Sequence, residues 1–206
     1  MKFTKVKKTT PQELQLNAGI ILKEFDPSSP VVDSSAIFAA TSGGVSFSDK
    51  IEFVDMFEDI DNMPKNTMEG KQIDSREVTL SGTFLTITPE VAKSLMAAGD
   101  IDTLEASHII PRDTLTKEDF ADFWWVGDYS DKNGTKNGGF CAVHIMNALS
   151  TGGLSIQSGD KAKGQFAVTY TAHYSIDNID TVPYEIYVKA GTDETKAVTE
   201  TKTGNS

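Results

Sequence analysis

Apolar and polar side chains alternate most clearly in the carboxyl-terminal third of the chain. From Phe166 to Ile176, every second residue is apolar, and the residues between them are mostly polar. A period of two places successive side chains on opposite faces of a strand, so residues 165–176 predict one long strand with a buried face and a solvated face. The alternation that begins at Val78 slips in phase at Phe84-Leu85, which predicts a bulge or a change of neighbouring strand. Further strands are predicted over 45–55, 104–110, 123–126, 140–148 and 184–188.

Helix signals are few by comparison. Residues 89–98 predict one helix, because Thr88 can cap it, Pro89 suits its first turn and Gly99 is typical of its end. Its apolar stripe consists of Val91, Leu95 and Ala98.

A second, shorter helix is predicted after Thr116, with Asp119 at the capping-box spacing. Threonine favours strands, and the chain contains 22 threonines, about a tenth of its residues. The predicted fold class is therefore α+β, dominated by antiparallel β-sheet.

Composition divides the chain into three regions. Residues 1–15 form a basic amino-terminal arm, residues 16–189 a single domain, and residues 190–206, which hold almost no apolar side chains, a flexible tail. Within the domain, residues 55–72 predict a long acidic loop without secondary structure between two strands. Such loops are uncommon in compact domains unless they have a function.

Charge and cysteine content exclude several classes of protein. The 30 acidic and 19 basic side chains give a formal net charge of −11, which excludes binding of nucleic acid through a basic footprint. The single cysteine, Cys141, cannot form an internal disulfide. No apolar stretch approaches the roughly 20 residues of a membrane helix, and no signal peptide is expected.

No constellation of residues indicates catalysis. His108, His144 and His173 lie on three separate predicted strands, and His173 falls on a polar face, where a solvated ring is expected. Cys141 has no adjacent cation and is expected to be a buried thiol. The acidic run at residues 58–62 lacks the ligand spacing of a calcium loop. We therefore expect a protein that is not an enzyme and has no metal or cofactor.

Several blocks of sequence resemble one protein family. The blocks are 16–25 (LNAGIILKEF), 58–67 (EDIDNMPKNT), 81–83 (SGT), 147–157 (NALSTGGLSIQ), 163–166 (KGQF), 173–176 (HYSI) and 182–187 (VPYEIY). Together they resemble the major tail proteins, or tail tube proteins, of long-tailed, non-contractile bacteriophages and prophages of Gram-positive bacteria.

The resemblance implies a β-sandwich or split-barrel subunit with one flanking helix. Six copies would form a ring with a continuous inner β-barrel, and rings would stack into the tube through which the genome passes. The implied partners are further copies of the chain and other tail proteins, namely the tape measure, the tail terminator and the distal tail protein. DNA would pass without specific binding, no membrane is involved, and the protein would belong to the virion after assembly in the host bacterial cytoplasm.

Three groups of residues are candidates for these roles. A loop that contacts another subunit or the next ring is assigned to Glu58, Asp59, Asp61, Asn62, Pro64, Lys65 and Asn66. Contacts of the arm, which could meet the acidic loop of an adjacent subunit, are assigned to Lys5, Lys7 and Lys8. The lumen is assigned to residues on two predicted strands: Asp49, Glu52, Gln165, Thr169 and Thr171.

Two other functions fit the residues. A tube protein of a related injection apparatus would share the architecture. A monomeric β-rich module that binds carbohydrate or another surface would instead use Trp124, Trp125 and Tyr129 as exposed stacking platforms. Buried tryptophans favour the tube, and an exposed aromatic face favours the module.

Overall fold

The fold comes from a computed structural model that describes residues 5–130 and 138–192. The parts of the predicted arm and tail at 1–4 and 193–206 lie outside the described residues. The strands are β1 (Ile20–Leu22), β2 (Ile37–Ala39), β3 (Thr41–Asp55), β4 (Lys71–Phe84), β5 (Gly99–Ile101), β6 (Ile109–Pro111), β7 (Ala121–Tyr129), β8 (Gly139–Ser150), β9 (Ser155–Gln157), β10 (Gln165–Thr171) and β11 (Tyr184–Lys189). The α-helix is α1 (Pro89–Leu95), and short 3-10 turns occur at Thr10–Glu13, Ser34–Ala36, Met68–Gly70 and Lys117–Asp119.

Nine strands form one open, entirely antiparallel sheet. Its main path runs β2-β1-β7-β8-β10-β4-β3, with β11 paired to β8 and β9 paired to β10, while β5 and β6 form a separate pair. Strand β8 joins two layers, because it pairs with β7 and β11 over most of its length and with β10 at Leu149 and Ser150. The predicted class, mainly antiparallel β with one flanking α-helix, is confirmed, and the sheet of a single chain does not close into a barrel.

The core lies between the two layers and beneath α1. It combines aromatic and aliphatic side chains from six of the strands and from the helix: Ile21, Phe38, Val78, Leu80, Phe84, Val91, Leu95, Phe123, Val143, Ile145, Phe166, Val168 and Tyr170. A smaller cluster on the outer face of the β7–β8 layer holds Leu22, Trp124, Val126, Phe140 and Ala142. Burial of these apolar side chains is the main force that holds the layers together.

Strand β10 follows the predicted alternation but is shorter than predicted. Phe166, Val168 and Tyr170 are buried, and the alternation continues through Ala172. Regular pairing ends at Thr171, although Ala172 still donates its N–H to the carbonyl of Val78 on β4 at 2.9 Å and His173 donates to Met146 on β8 at 3.3 Å. The chain then turns at Ser175, whose carbonyl accepts the N–H of Asn178. The prediction that the strand continues to residue 176 is therefore wrong, and Tyr174 and Ile176 are exposed.

Helix α1 begins as predicted and ends earlier. The side chain of Thr88 accepts a hydrogen bond from the backbone N–H of Val91 at 3.2 Å. The helix stops at Leu95 because Ala97 adopts a left-handed conformation with φ of 64°, so Gly99 begins a strand instead of ending the helix.

The second predicted helix is a single 3-10 turn after Thr116. The carboxylate of Asp119 accepts the backbone N–H of Thr116 at 2.7 Å, as the capping box requires.

Two further strand predictions are corrected. Of residues 104–110 only the last two join a strand, because the carboxylate of Asp102 accepts the N–H of Leu104 and turns the chain. The phase slip at Phe84 marks the end of β4, and the bulge lies opposite, on β3. There Gly43 and Gly44 have φ values of 75° and 84°.

A substitution at Gly19 tests how β1 is attached to β7. Its φ is 70°, and a Cβ there would overlap the indole of Trp125 and lie 2.7 Å from the carbonyl of Val126. We expect Gly19→Ala to lower the free energy of unfolding by about 2–4 kcal/mol, because left-handed strain and overpacking add. Urea unfolding followed by tryptophan fluorescence measures this.

Gly43→Ala is the matched control, since its φ is similarly positive but no atom lies within 4 Å of the added Cβ. It should cost only the strain, about 1 kcal/mol. Equal losses in the two variants would contradict a steric role of Gly19.

Candidate assembly surfaces

The longest feature of the fold is the hairpin of β3 and β4. Its register runs from Thr41 opposite Phe84 to Asp55 opposite Lys71. The core ends at Val78, and no residue of 50–55 or 71–77 is buried. About half of the hairpin therefore extends beyond the core, and the described residues bury neither of its faces.

One face of the extension is apolar. By the alternation of β3, Ile51 and Phe53 point to the side that faces the core farther along the strand, and Ile73 lies directly opposite Phe53. The side chains of Phe53 and Ile73 are 55% and 48% exposed. A row of half-exposed apolar side chains on a projecting element is typical of a protein interface.

A polar cluster fixes the hairpin against β11 where the core ends. The carboxylate of Asp49 accepts hydrogen bonds from the guanidinium of Arg76 and, at 2.8 Å, from the hydroxyl of Tyr184. The same tyrosine ring packs on Phe47 with a centroid distance of 5.3 Å. Because its proton is held by Asp49, the pKa of Tyr184 is raised above the ordinary tyrosine value.

This cluster changes the placement of one predicted lumen residue. The side chain of Asp49 is only 12% exposed and lies on the core side of β3. Glu52 lies three positions along the strand and therefore points to the opposite face. The two carboxylates thus do not share one surface.

The loop at residues 56–70 joins the ends of the hairpin and is held by one carboxylate. Asp55 accepts the backbone N–H of Phe57 at 3.0 Å and that of Asn66 at 2.8 Å. These bonds lower the pKa of Asp55, with the bond from Phe57 as the largest cause. Gly70 packs against the ring of Phe57, which fixes the return of the chain to β4. The loop predicted to lack structure is therefore a set of defined turns.

All seven predicted contact residues of this loop are exposed. Lys65 lies 3.6 Å from the carboxylate of Glu58, and Asn62 and Asn66 adopt left-handed conformations. Apolar side chains accompany the acidic ones, and four of them are exposed: Met56, Ile60, Met63 and Met68. The loop offers both charge and apolar area to a neighbour.

The outer face of β3, β4 and β10 is lined by hydroxyl groups. In register, Thr169 lies opposite Ser81, and Ser81 lies opposite Ser46. The next row contains Thr171, Thr79 and Ser48. We name this surface the hydroxyl face; its residues are Ser46, Ser48, Thr79, Ser81, Thr83, Gln165, Thr169 and Thr171.

A cluster of charged side chains lies at the end of this face that is nearest the loop. There the ammonium of Lys50 lies 3.5 Å from Glu52 and 3.8 Å from Glu77. Four of the five predicted lumen residues, namely Glu52, Gln165, Thr169 and Thr171, therefore share one face of one sheet, and Asp49 does not.

The sheet that carries the hydroxyl face ends in free edges. Strand β3 is the last strand of the path, and on the other side β9 pairs only with the start of β10. Within residues 5–130 and 138–192, no strand pairs with the outer edge of the 15-residue β3, and such an edge presents a long row of backbone donors and acceptors to another chain.

The amino-terminal arm docks on the far end of β7. Ser130 donates its N–H to the carbonyl of Leu14 at 2.8 Å, and Leu16 donates to Asp128 at 2.9 Å. Of the predicted arm lysines, Lys7 pairs with Glu13 at 2.6 Å within the arm, while Lys5 and Lys8 are exposed. The arm thus presents cations at one end of the subunit.

The candidate chemical groups are spread across the molecule. His144 stacks on Trp124 at 4.1 Å, and Cys141 is half-buried, with its thiol pKa raised by desolvation. The solvated position expected for His173 is wrong, because its ring is half-buried against Phe120, and its Nδ1 lies 3.2 Å from a backbone carbonyl. Within 5–130 and 138–192, no group of three or more His, Cys, Asp or Glu residues could hold a metal ion.

The aromatic residues do not form an exposed platform. Trp124 is buried in the outer cluster, and Trp125 is half-buried and donates its indole N–H to the carbonyl of Ala18 at 2.9 Å. Tyr129 is half-buried. This arrangement disfavours the carbohydrate-binding module. No helix in the described part of the chain is long and apolar enough to cross a bilayer.

Comparisons with known proteins show similarity at the level of structure alone. No protein-family model matches the chain, and a search of curated proteins finds no similar sequence. Among solved structures, the chain is similar to a chain from the virion of a native gene transfer agent (GTA) particle, with a TM-score of 0.41 and 10% identity. The match covers 84% of this chain and 96% of that one.

We name the two hydrogen bonds that Asp55 accepts from the backbone of Phe57 and Asn66 the Asp55 clamp. Amide hydrogen exchange tests this clamp. Asp55→Asn keeps the shape but removes one acceptor and the charge, so we expect the amides of Phe57 and Asn66 to exchange about tenfold faster. Amides of α1 should not change. Because the folded-state pKa of Asp55 lies below its usual 3.8, the clamp is fully present above that pH and is lost as the pH falls through the lowered pKa.

Asp59→Asn is the control, since it removes an exposed charge of the same loop outside the clamp. Equal acceleration in both variants would show that loop charge, and not the hydrogen bonds of Asp55, orders the loop.

Proposed function

We propose that this protein is the subunit of a bacteriophage tail tube, in which hexameric rings stack into the channel for genome ejection. The sequence resemblance spans roughly residues 14–188 and supports this function. The observation that carries it is the β3–β4 hairpin, which leaves one apolar face, one hydroxyl face and one long edge uncovered. Each of these surfaces is completed by identical copies of the chain.

Ring formation accounts for the free edges. When β3 of one copy lies beside β9 of the next, the contact is heterologous, and such contacts close into a ring if the rotation per copy divides a full turn. A ring of this kind covers both edges of the sheet. The same argument makes an isolated subunit prone to uncontrolled pairing.

The strand count suits a wide channel. Each copy contributes four strands, β3, β4, β10 and β9, so six copies give 24 strands. At about 4.8 Å per strand the ring measures roughly 37 Å across, and a tilt of 35–45° widens it to about 45–50 Å. The hydroxyl face lines this channel, while the core side of each sheet faces outward against the rest of the domain.

The proposed lining neither holds nor repels phosphate strongly. On the described part of this face, the charged cluster of Lys50, Glu52 and Glu77 sums to 1 − 2 = −1 per copy. A duplex that meets hydroxyl groups and few cations releases no counterions and therefore gains little affinity. The formal charge of a ring is 6 × (−11) = −66, so the ring as a whole does not attract DNA from solution.

The remaining roles follow from this function. The protein is structural and not an enzyme, needs no cofactor and belongs to the virion after assembly in the host cytoplasm. Its partners are further copies of itself and the tape measure, tail terminator and distal tail proteins.

Assembly of the purified chain tests the function directly. We expect rings or hollow rods in negative-stain electron micrographs of concentrated protein, and a particle mass near a multiple of six subunits by light scattering. Monomers at every concentration, salt and pH, also after addition of preformed tube ends, would contradict the function.

The apolar face of the hairpin gives a sharper test. Phe53→Ser with Ile73→Ser should abolish rods and leave the unfolding midpoint of the monomer nearly unchanged, because both side chains are half-exposed in a single chain. Ser46→Ala with Ser48→Ala changes the opposite face of the same hairpin and should still assemble. Rods from the Phe53 and Ile73 variant would exclude this face as an interface.

Cations placed on the hydroxyl face test its place in the channel. Ser48→Lys with Thr169→Lys should make assembled rods retain linear double-stranded DNA at low salt and release it as salt increases, since each ammonium pairs with phosphate. Unsubstituted rods should retain none. A variant with Ser28→Lys and Ser158→Lys, on exposed residues outside this face, is the control. If this control binds DNA equally, the hydroxyl face is not the lining.

A further inference from the structure

A small cavity lies at the end of β7 that is remote from the arm. Its volume is about 240 Å³, and it is enclosed by α1, the start of β7 and the stem of Lys23. The buried rings of Phe38 and Phe123 line it from within, and Ala121 lies exposed at its edge. Sites for small molecules usually measure about 300–1,000 Å³, so this cavity suits a single aliphatic side chain better than a metabolite.

Two ion pairs neutralise part of its rim. Lys23 lies 2.5 Å from Glu90, and its ammonium is 5.9 Å from the centre of the Phe38 ring. The side chain of Asp119 is inaccessible to solvent and pairs with Arg112 at 2.7 Å. These four charges therefore offer little to a partner.

The charges that remain are mainly negative. Glu118 and Asp122 are exposed on the rim, and Lys93 is half-buried beside them. The carboxylate of Asp122 already accepts one backbone N–H, that of Asn147, at 2.8 Å, and lies 3.4 Å from Nε2 of His144. The net charge of these three side chains, 1 − 2 = −1, favours a partner whose apolar side chain is flanked by cations.

One exposed side chain of this chain has that pattern. Among the described residues, five large apolar side chains are more than three-quarters exposed: Val6, Val31, Met68, Leu104 and Ile176. Met68, Leu104 and Ile176 each precede an acidic residue, and Val31 lies two residues before Asp33. Val6 is 78% exposed and lies between Lys5 and Lys7, with Lys8 next.

The arm and the cavity lie at opposite ends of the same strand. The arm is docked at Asp128 and Ser130, and the cavity begins at Phe123, about seven residues or roughly 23 Å away along the strand. When copies meet head to tail, the arm of each copy faces the cavity of the next, and the same contact repeats in one direction.

We propose that Val6 of one copy inserts into the cavity of the next copy, with Lys5 and Lys8 beside Glu118 and Asp122. This inference rests on the proposed function, because it assigns a specific contact between copies of the chain. Val6 is the anchor in the pocket and the lysines select the orientation.

Intermolecular disulfide formation tests the contact. In a Cys141→Ser background, a protein with Val6→Cys is mixed with a differently tagged protein with Ala121→Cys under mild oxidation. We expect a heterodimer at least tenfold above that formed when the second protein instead carries Thr79→Cys on the hydroxyl face. Equal yields with both partners, or a crosslink that forms only within a chain carrying both cysteines, overturn the proposal.

Charge exchange distinguishes the cavity from the acidic hairpin loop. Lys5→Glu with Lys8→Glu should weaken self-association about tenfold in sedimentation velocity, and added Glu118→Lys should restore most of it. Rescue by Glu58→Lys with Asp59→Lys instead would place the arm on the loop and overturn the proposal. Self-association unaffected by the arm variants refutes this contact alone, whereas no association of the unmodified chain contradicts the proposed function as well.

Discussion

The pairing of β3 with β4 continues well beyond the core that stabilises it, and the other exposed surfaces depend on this fact. Antiparallel pairing satisfies the backbone of both strands, but it covers neither face and leaves the outer edge of β3 free. An isolated two-stranded ribbon is at best marginally stable in water. The projecting half of the hairpin therefore needs either local contacts that hold it or a neighbour that covers it.

The chain supplies the local contacts with carboxylates. Asp49 pairs with Arg76 across the hairpin and joins the hairpin to β11 through Tyr184, at the point where apolar packing ends. Asp55 orders the loop through the backbone of Phe57 and Asn66. Together they hold the apolar side chains of the extension in one geometry before any partner arrives, which lowers the ordering cost of association.

Much of this arrangement follows from the sequence, and the exceptions have physical causes. Alternation predicts the buried face of β10, since Phe166, Val168 and Tyr170 need only a sheet to pack on. Beyond Thr171, the backbone N–H groups of Ala172 and His173 bond to Val78 and Met146, which are long-range contacts that no local pattern carries.

The candidate assembly surfaces likewise combine features that the sequence predicts with features that depend on long-range contacts. The hydroxyl face is readable from the polar positions of β10 and β4, and the exposure of the acidic loop from its composition. The inward position of Asp49 was available from spacing alone, because residues three apart on a strand point to opposite faces. Arg76 pairs with Asp49 from the adjacent strand of the hairpin, whereas the hydrogen bond from Tyr184 could not be read, because Tyr184 lies 135 residues away from Asp49 along the chain.

If the hydroxyl face lines a channel as proposed, its composition decides how strongly the wall interacts with passing DNA. Carboxylates act through a field that fades over about 8 Å at physiological salt, so charge on the outside of a wide tube contributes little inside it. Serine and threonine hydroxyls act only at contact, where they exchange hydrogen bonds with water at little net cost. A channel with such a lining stays non-adhesive at any ionic strength, whereas a channel that relied on repulsion would lose this property as salt increased. In the proposed tube, the net charge of the chain would serve mainly to keep unassembled subunits apart, and the hydroxyl face would govern passage.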